Sequence, residues 1–293
     1  MSRAQPDASA ARPGRALGLL LAGLLLAACA GTRTSGPGDA PPDAAAPDPV
    51  DPGTVVVQVS SVGGYTSAEE LHGRLPPVTV YADGRVISPG PVALVYPAFA
   101  WPGLTVTQLD PGRLPDLVDR ALAAGVGEDH DLGPTGVTDA PSTRFTVLTD
   151  GGTVVREVDA LQEGLGSPML SEQQRADRQR LAALAEELAG LADPAQPWSP
   201  SAVAVLAHPY TEGLLGPGGA PLDLPEVAWT GPDLPGEPLG AGLGCVVAPV
   251  EEVRAAASGA STATPWTTPD GARWSLTFRP LLPHESGCAD LTG

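Results

Sequence analysis

The densest group of side chains able to do chemistry is Glu128-Asp129-His130-Asp131, with Asp139 following in the same stretch. Carboxylate oxygens suit hard divalent cations and imidazole suits zinc-like ones, so Asp129, His130 and Asp131 are candidate metal ligands. The run lacks the D-x-[DN]-x-[DN]-G pattern of a calcium loop, and the competing reading is a solvated loop after a helix. The four histidines, His72, His130, His208 and His284, are scattered along the chain. No H-E-x-x-H or G-x-S-x-G motif is present, so no catalytic residue is assigned. Aspartate and glutamate are plentiful, and a paired-carboxylate hydrolase stays open as an alternative. Tyr96, Trp101, Trp198, Tyr210 and Trp266 sit near prolines. They are candidate stacking platforms for sugars or Pro-rich peptides, or they plug the edges of a core poor in Phe and Ile. The Gly-rich stretches 216–219 and 240–244 lack the strand-before, helix-after context of a nucleotide loop. Ligand-binding residues therefore stay unassigned.

The cysteines number three, one expected to carry a lipid and two expected to pair. Cys29 follows a basic segment (Arg3, Arg12, Arg15) and a short, uncharged, Leu-rich run over residues 16–27. That run is shorter than the roughly 20 apolar residues a membrane span needs, and it has the form of an export signal. It ends in Leu26-Ala27-Ala28-Cys29, which resembles a bacterial lipobox, where the Cys is lipidated and becomes the mature N-terminus. The alternative is an ordinary A-x-A cleavage site in a freely secreted protein. Either route leads to an oxidising compartment. Cys245 and Cys288 are therefore expected to pair as one disulfide. They lie 43 residues apart, a loop whose closure stabilises a fold by about 4 kcal/mol in the chain-entropy account.

Composition excludes several classes. All 16 basic residues of the 293 are Arg, against 34 acidic residues, and neither Lys nor Asn occurs. Lysine chemistries such as Schiff bases and the P-loop are closed, as is N-linked glycosylation. A net charge of −18 repels phosphate backbones, so nucleic acid is not an expected partner. Removal of residues 1–28 takes away three Arg and Asp7, leaving 13 basic and 33 acidic residues and a charge of −20. A membrane association would thus come from the lipid and not from surface electrostatics. The absent residue types follow GC-rich codon usage.

The elements that must position these groups read as follows. Residues 29–53 form a Pro/Ala/Asp-rich tether too apolar-poor to pack. Residues 54–293 are long enough for a substantial core, with a subdivision near 197. Strands are expected over 54–60, 78–81, 85–87, 92–96 and 104–108, with Ala82-Asp83-Gly84 turning a hairpin. Asp110 caps a helix with Leu114, Leu117, Val118, Ala121 and Leu122 on one face; Pro115 makes its first turn irregular. A second hairpin turns at Asp150-Gly151-Gly152. Ser171 and Gln174 form a capping box for a helix with Leu181, Leu184, Leu188 and Leu191 on its inner face. Its first half, 172–180, is almost wholly polar and is expected to face water. A buried strand covers 202–207. Residues 211–244 hold 15 Gly or Pro and read as a long loop. A strand at 245–248, a short helix over 250–258 and a hairpin around Asp270-Gly271 complete the chain. The runs 104–160 and 245–282 both read strand, helix, hairpin, and are candidate copies of one β-α-β-β unit.

Four segments, Leu75-Pro76-Pro77-Val78-Thr79-Val80-Tyr81-Ala82-Asp83-Gly84-Arg85-Val86-Ile87, Val137-Thr138-Asp139-Ala140-Pro141, Thr264-Pro265-Trp266 and Arg279-Pro280-Leu281-Leu282-Pro283, together with the lipobox, resemble secreted actinobacterial lipoproteins of unassigned function. The resemblance spans most of 54–291 and implies an extracytoplasmic α+β domain. It carries over no site residues. The expected protein is an α+β fold of antiparallel β-hairpins with two or three packed helices, attached by its lipid to the extracytoplasmic face of the cell membrane. Its expected role is non-enzymatic, in binding or structure, with no cofactor and with an envelope protein or glycan as candidate partner. A solute- or glycan-binding lipoprotein is the first alternative, which an apolar pocket near Trp229 would favour. A carboxylate-dependent cell-wall hydrolase is the second, which a deep cleft with two facing carboxylates would favour.

Overall fold

The computed structural model describes residues 50–292. The export signal, Cys29 and most of the tether lie outside them. In chain order the elements are β1 (Val55–Val62), α1 (Ala68–Gly73), β2 (Val78–Tyr81), β3 (Arg85–Pro89), β4 (Leu104–Gln108), α2 (Leu114–Ala123), β5 (Ser142–Thr149), β6 (Gly152–Asp159), α3 (Glu172–Gly190), β7 (Gln196–Trp198), β8 (Ala202–Pro209), β9 (Val227–Ala228), β10 (Glu237–Gly240), β11 (Leu243–Pro249), α4 (Val250–Ala256), β12 (Trp266–Thr267) and β13 (Arg273–Pro280). This is an α+β fold of two sheets, ordered β6-β5-β1-β2-β3-β4-β7 and β10-β11-β8-β13-β12-β9. Every ladder is antiparallel except the short β9–β12 pair.

Side-chain alternation explains how each sheet is covered. On the first sheet Val57, Val59, Val78, Val80, Val86, Phe145 and Val147 pack beneath α2 and α3. On the second, Val203, Val205 and Ala207 of β8 meet Val253 of α4, Trp229, Trp266 and Phe278. The intervening Ala204 and Leu206 point the other way, into a cluster with Leu281 and both remaining cysteines. Both faces of β8 are buried, so it reads as a continuous apolar run. Tyr81, Ile87 and Leu104 fill the remaining face of the first sheet together with Leu282. Adjacent residues Leu281 and Leu282 thus enter the cores of different sheets. Cys245 and Cys288 are joined in a disulfide.

Local turn chemistry sets the hairpins. Gly84 sits at φ +85°, where a Cβ would lie 2.3 Å from the Leu109 carbonyl oxygen, so only glycine fits. Ser171 and Gln174 form the reciprocal capping box at the start of α3. Asp110 caps a 3₁₀ turn over Pro111–Arg113, and α2 begins after it at Leu114. Pro115 then falls in the first turn, where a missing N–H costs nothing.

Four expectations are corrected. Residues 92–96 are not a strand: they lie in the exposed connection between β3 and β4, bracketed by Pro91 and Pro97 and without a partner strand. The Gly/Pro-rich stretch 211–244 is not a bare loop, since it supplies β9 and β10 at opposite edges of the second sheet. The first half of α3 does not wholly face water, because Asp177 and Arg178 are buried at 3% and 2% exposure. The two β-α-β-β runs exist in chain order, but their strands are arranged differently. In the first, β5 is the inner strand of its hairpin and three strands separate it from β4; in the second, β13 is inner and one strand separates it from β11. That difference removes the case for a duplication.

Candidate functional site

The acidic cluster after α2 is fastened to α3. His130 Nδ1 lies 2.9 Å from Glu128 Oε2, and its Nε2 lies 2.9 Å from Asp177 Oδ2. Asp177 also takes Arg180 at 2.7 Å and Gln173 at 2.8 Å. Both imidazole nitrogens thus face carboxylates that belong to the fold. Asp129, Asp131 and Asp139 are exposed, and Asp131 accepts from the Gly133 amide at 2.8 Å. Among the described residues no three His, Cys, Asp or Glu side chains converge as a metal site. Among the described residues the neighbouring Arg178 pairs with no carboxylate. It donates to the carbonyls of Leu132 (2.9 Å), Gly133 (3.1 Å) and Asp159 (2.9 Å), joining the loop after α2 to the end of β6. Burial pushes its guanidinium below the ordinary arginine range, and Asp159 and Asp131 pull it back. The carbonyls come from about 20 to 45 residues away, so nothing near Arg178 in sequence signals this role.

A second polar group lines a cleft of about 160 Å³ between β1, α1 and the C-terminal segment, with His72, Arg74, Arg144, Arg279, His284 and Glu285 in its wall. Its ionisable groups are engaged in building the fold. Arg279 and Glu285 form a buried two-pronged pair at 3.0 and 2.7 Å, and Glu285 also accepts from the Leu282 amide at 2.7 Å. Tyr81 Oη and His284 Nδ1 are 2.9 Å apart. Burial, with Glu285 adding, raises the Tyr81 phenol far above its ordinary value, which keeps the hydroxyl protonated against the imidazole. Desolvation in turn lowers His284. Asp290 accepts from Ser286 and Gly287, bonds that hold its carboxyl below the usual range. His208 pairs with Glu69 at 2.8 Å, and that carboxylate also takes the Thr277 hydroxyl. Among the described residues no Ser, Thr or Cys side chain bonds a histidine, so no nucleophile–base pair is assembled.

The feature that no fold contact explains is an apolar ridge. The β3–β4 connection exposes Val92, Leu94, Val95, Tyr96 and Phe99, with Leu94 fully exposed at 103%. Its base is fixed to the turn after α4: the Ala100 amide donates to Ala260 O at 3.0 Å, and the Thr262 amide donates to Ala98 O at 2.9 Å. Trp101 lies half-buried under Arg254, whose guanidinium is 5.2 Å from the ring. At the tip, the Tyr96 hydroxyl donates to Leu215 O at 3.2 Å, which adds the exposed Leu215 to the ridge. Two segments distant in sequence thus meet, and each is free of charge: residues 86–109 and 213–222 contain no Asp, Glu or Arg. In a chain of net charge −18 those runs were the available signal. Of the aromatic residues near prolines, Tyr96 joins the ridge. Trp266 is buried, Trp198 packs beside the first sheet and Tyr210 stacks under Arg273. Trp229 is also buried, between Trp266 and Phe278.

Comparison with protein-family models, curated proteins and solved structures finds no match to the chain.

Proposed function

We propose that the chain is a non-enzymatic lipoprotein held at the extracytoplasmic face of the cell membrane by a lipid on Cys29, and that its folded domain works by binding. The observation that carries the binding role is the ridge of Val92, Leu94, Val95, Tyr96, Phe99 and Leu215. Apolar side chains gathered at one exposed site, on two segments that carry no charged residue, cost solubility without serving the core, which is the mark of a contact surface. The polar clusters support the same reading from the other side. Glu285, Asp290, Asp177 and Glu69 each hold structural partners, so none of these four is a free carboxylate for the hydrolase alternative. The glycan-binding alternative loses Trp229 to the core.

The anchor is tested by palmitate labelling of cells expressing the full chain and its Cys29→Ala variant. Label on the first and not the second is expected, and globomycin should block maturation. An unlabelled full chain, or a mature N-terminus beyond Cys29, would overturn the anchor.

A further inference from the structure

We propose that the ridge docks into the lipid bilayer itself, as a second membrane contact beside the acyl anchor. The inference rests on the anchored reading above and names the partner of its binding surface. Cys29 and Val50 are separated by 20 residues. A Pro-rich chain of that length reaches at most about 65 Å. The chain enters the first sheet beside the β2–β3 turn, since the Ala82 amide donates to Thr54 O. The ridge follows the far end of β3, one strand length away. The eight residues of β1 measure the sheet at roughly 26 Å. The tether therefore suffices to bring either end of the sheet to the bilayer surface.

Chemistry then selects the face. An anionic leaflet repels a domain of this charge wherever carboxylates lead. The ridge presents none, and it offers aliphatic side chains and Phe99 that can enter the acyl boundary, with Tyr96 of a type enriched at the membrane–water interface. It protrudes as a loop tip fixed at its base by backbone hydrogen bonds, so insertion needs no unfolding of a strand. A domain already tethered meets the bilayer at an effective concentration in the millimolar range, so a weak insertion is enough to hold one orientation. A second copy of the chain is a poorer occupant, because two acidic domains repel each other around any shared apolar patch.

The test uses the mature full chain reconstituted in phosphatidylcholine vesicles whose acyl chains are brominated. Leu94→Trp places a fluorophore at a fully exposed position where substitution leaves the core untouched. Val155→Trp, on exposed β6 at the opposite edge of the sheet from β4 and β7, is the control. Emission from position 94, after subtraction of the five native Trp, should be quenched and that from position 155 should not. Phe99→Asp added to Leu94→Trp should weaken partitioning of the ridge about tenfold or more, as expected for losing one buried apolar side chain, and so lower the quenching. Absence of quenching at position 94 overturns the proposal, as does equal quenching at both positions. A dimer that forms with concentration and is lost in Leu94→Asp, without quenching, assigns the ridge to a second copy and also overturns it. Palmitate labelling separates the two readings. A labelled chain without quenching keeps the anchor and removes the ridge contact, whereas quenching by an unlabelled chain keeps the ridge contact and removes the anchor.

Discussion

Replacing Arg178 by Met should loosen two loops while leaving both sheets formed. The guanidinium is 2% exposed and reaches four carbonyl oxygens: Leu132 and Asp159 at 2.9 Å, Gly133 at 3.1 Å and Ala160 at 3.5 Å. The three shorter bonds come from a charged donor, each worth about 1.5–3 kcal/mol, so together roughly 4–9 kcal/mol. Against them stands the cost of keeping a cation out of water, several kcal/mol, which Met does not incur. The lowered pKa of the guanidinium reports that same cost. The net loss in the Met variant is then about 1–5 kcal/mol, set by buried carbonyl oxygens left without a donor. In a domain of this size each kcal/mol moves the melting temperature by about 2–4 °C, so a fall of roughly 2–20 °C is expected. Urea unfolding supplies the magnitude and amide hydrogen exchange supplies the location. Exchange should rise first at residues 128–133 and 159–160. Arg178→Lys should recover part of the loss, because an ammonium keeps the charge but cannot fork between the two loops. Unchanged stability in the Met variant would refute the reasoning, and so would exchange that rises evenly across both sheets.

Three further outcomes are expected. Cys245→Ser with Cys288→Ser should lower stability by about 4 kcal/mol, since the bridge closes a 43-residue separation, and denatured, unreduced native protein should show no free thiol; two titratable thiols would contradict the pairing. Gly84→Ala should cost more than about 2 kcal/mol in urea unfolding, because it combines a left-handed backbone with a clash against Leu109 O, and a neutral result would mean the β2–β3 turn is misplaced. Desolvation keeps the His284 pKa below its ordinary 6.5, with Glu285 opposing and Arg279 assisting. The unfolded chain therefore takes a proton that the folded chain resists, so this contribution is complete above about pH 6.5 and declines as pH falls below it. His284→Gln should flatten the pH dependence of stability on that acid side, and an unchanged slope would place the sensitivity elsewhere.

The hairpins, the capping box and the disulfide were legible because each is written in a few neighbouring residues or in cysteine number. Ala82-Asp83-Gly84, Asp150-Gly151-Gly152 and Asp270-Gly271 name their own turns, and Ser171 with Gln174 names a helix start. Strand order is not local, and the two β-α-β-β runs read alike until the sheets separate them. Arg178 was assigned to water because its neighbours in α3 are polar; its partners lie in distant loops. Residues 92–96 have strand-like composition, yet strand formation needs a neighbouring ladder, and the chain between Pro91 and Pro97 has none. The ridge was hidden by the same error, since an apolar run was counted as strand when its lack of charged neighbours in the sequence was the more telling property.

The placement of Leu281 and Leu282 bears on how the chain comes to be folded. A ribosome delivers β1 to β7 long before these residues, and that first sheet still lacks the Leu282 side chain that closes one face. The second sheet waits for Leu281 and Cys288 from the same stretch. The early helix α1, meanwhile, packs on β8 and β13, which arrive much later. Neither sheet can be completed by its own half of the chain. Folding is therefore expected to finish in one late event, after residues 281–288 have been made, and fragments cut between β7 and β8 should not fold as independent pieces.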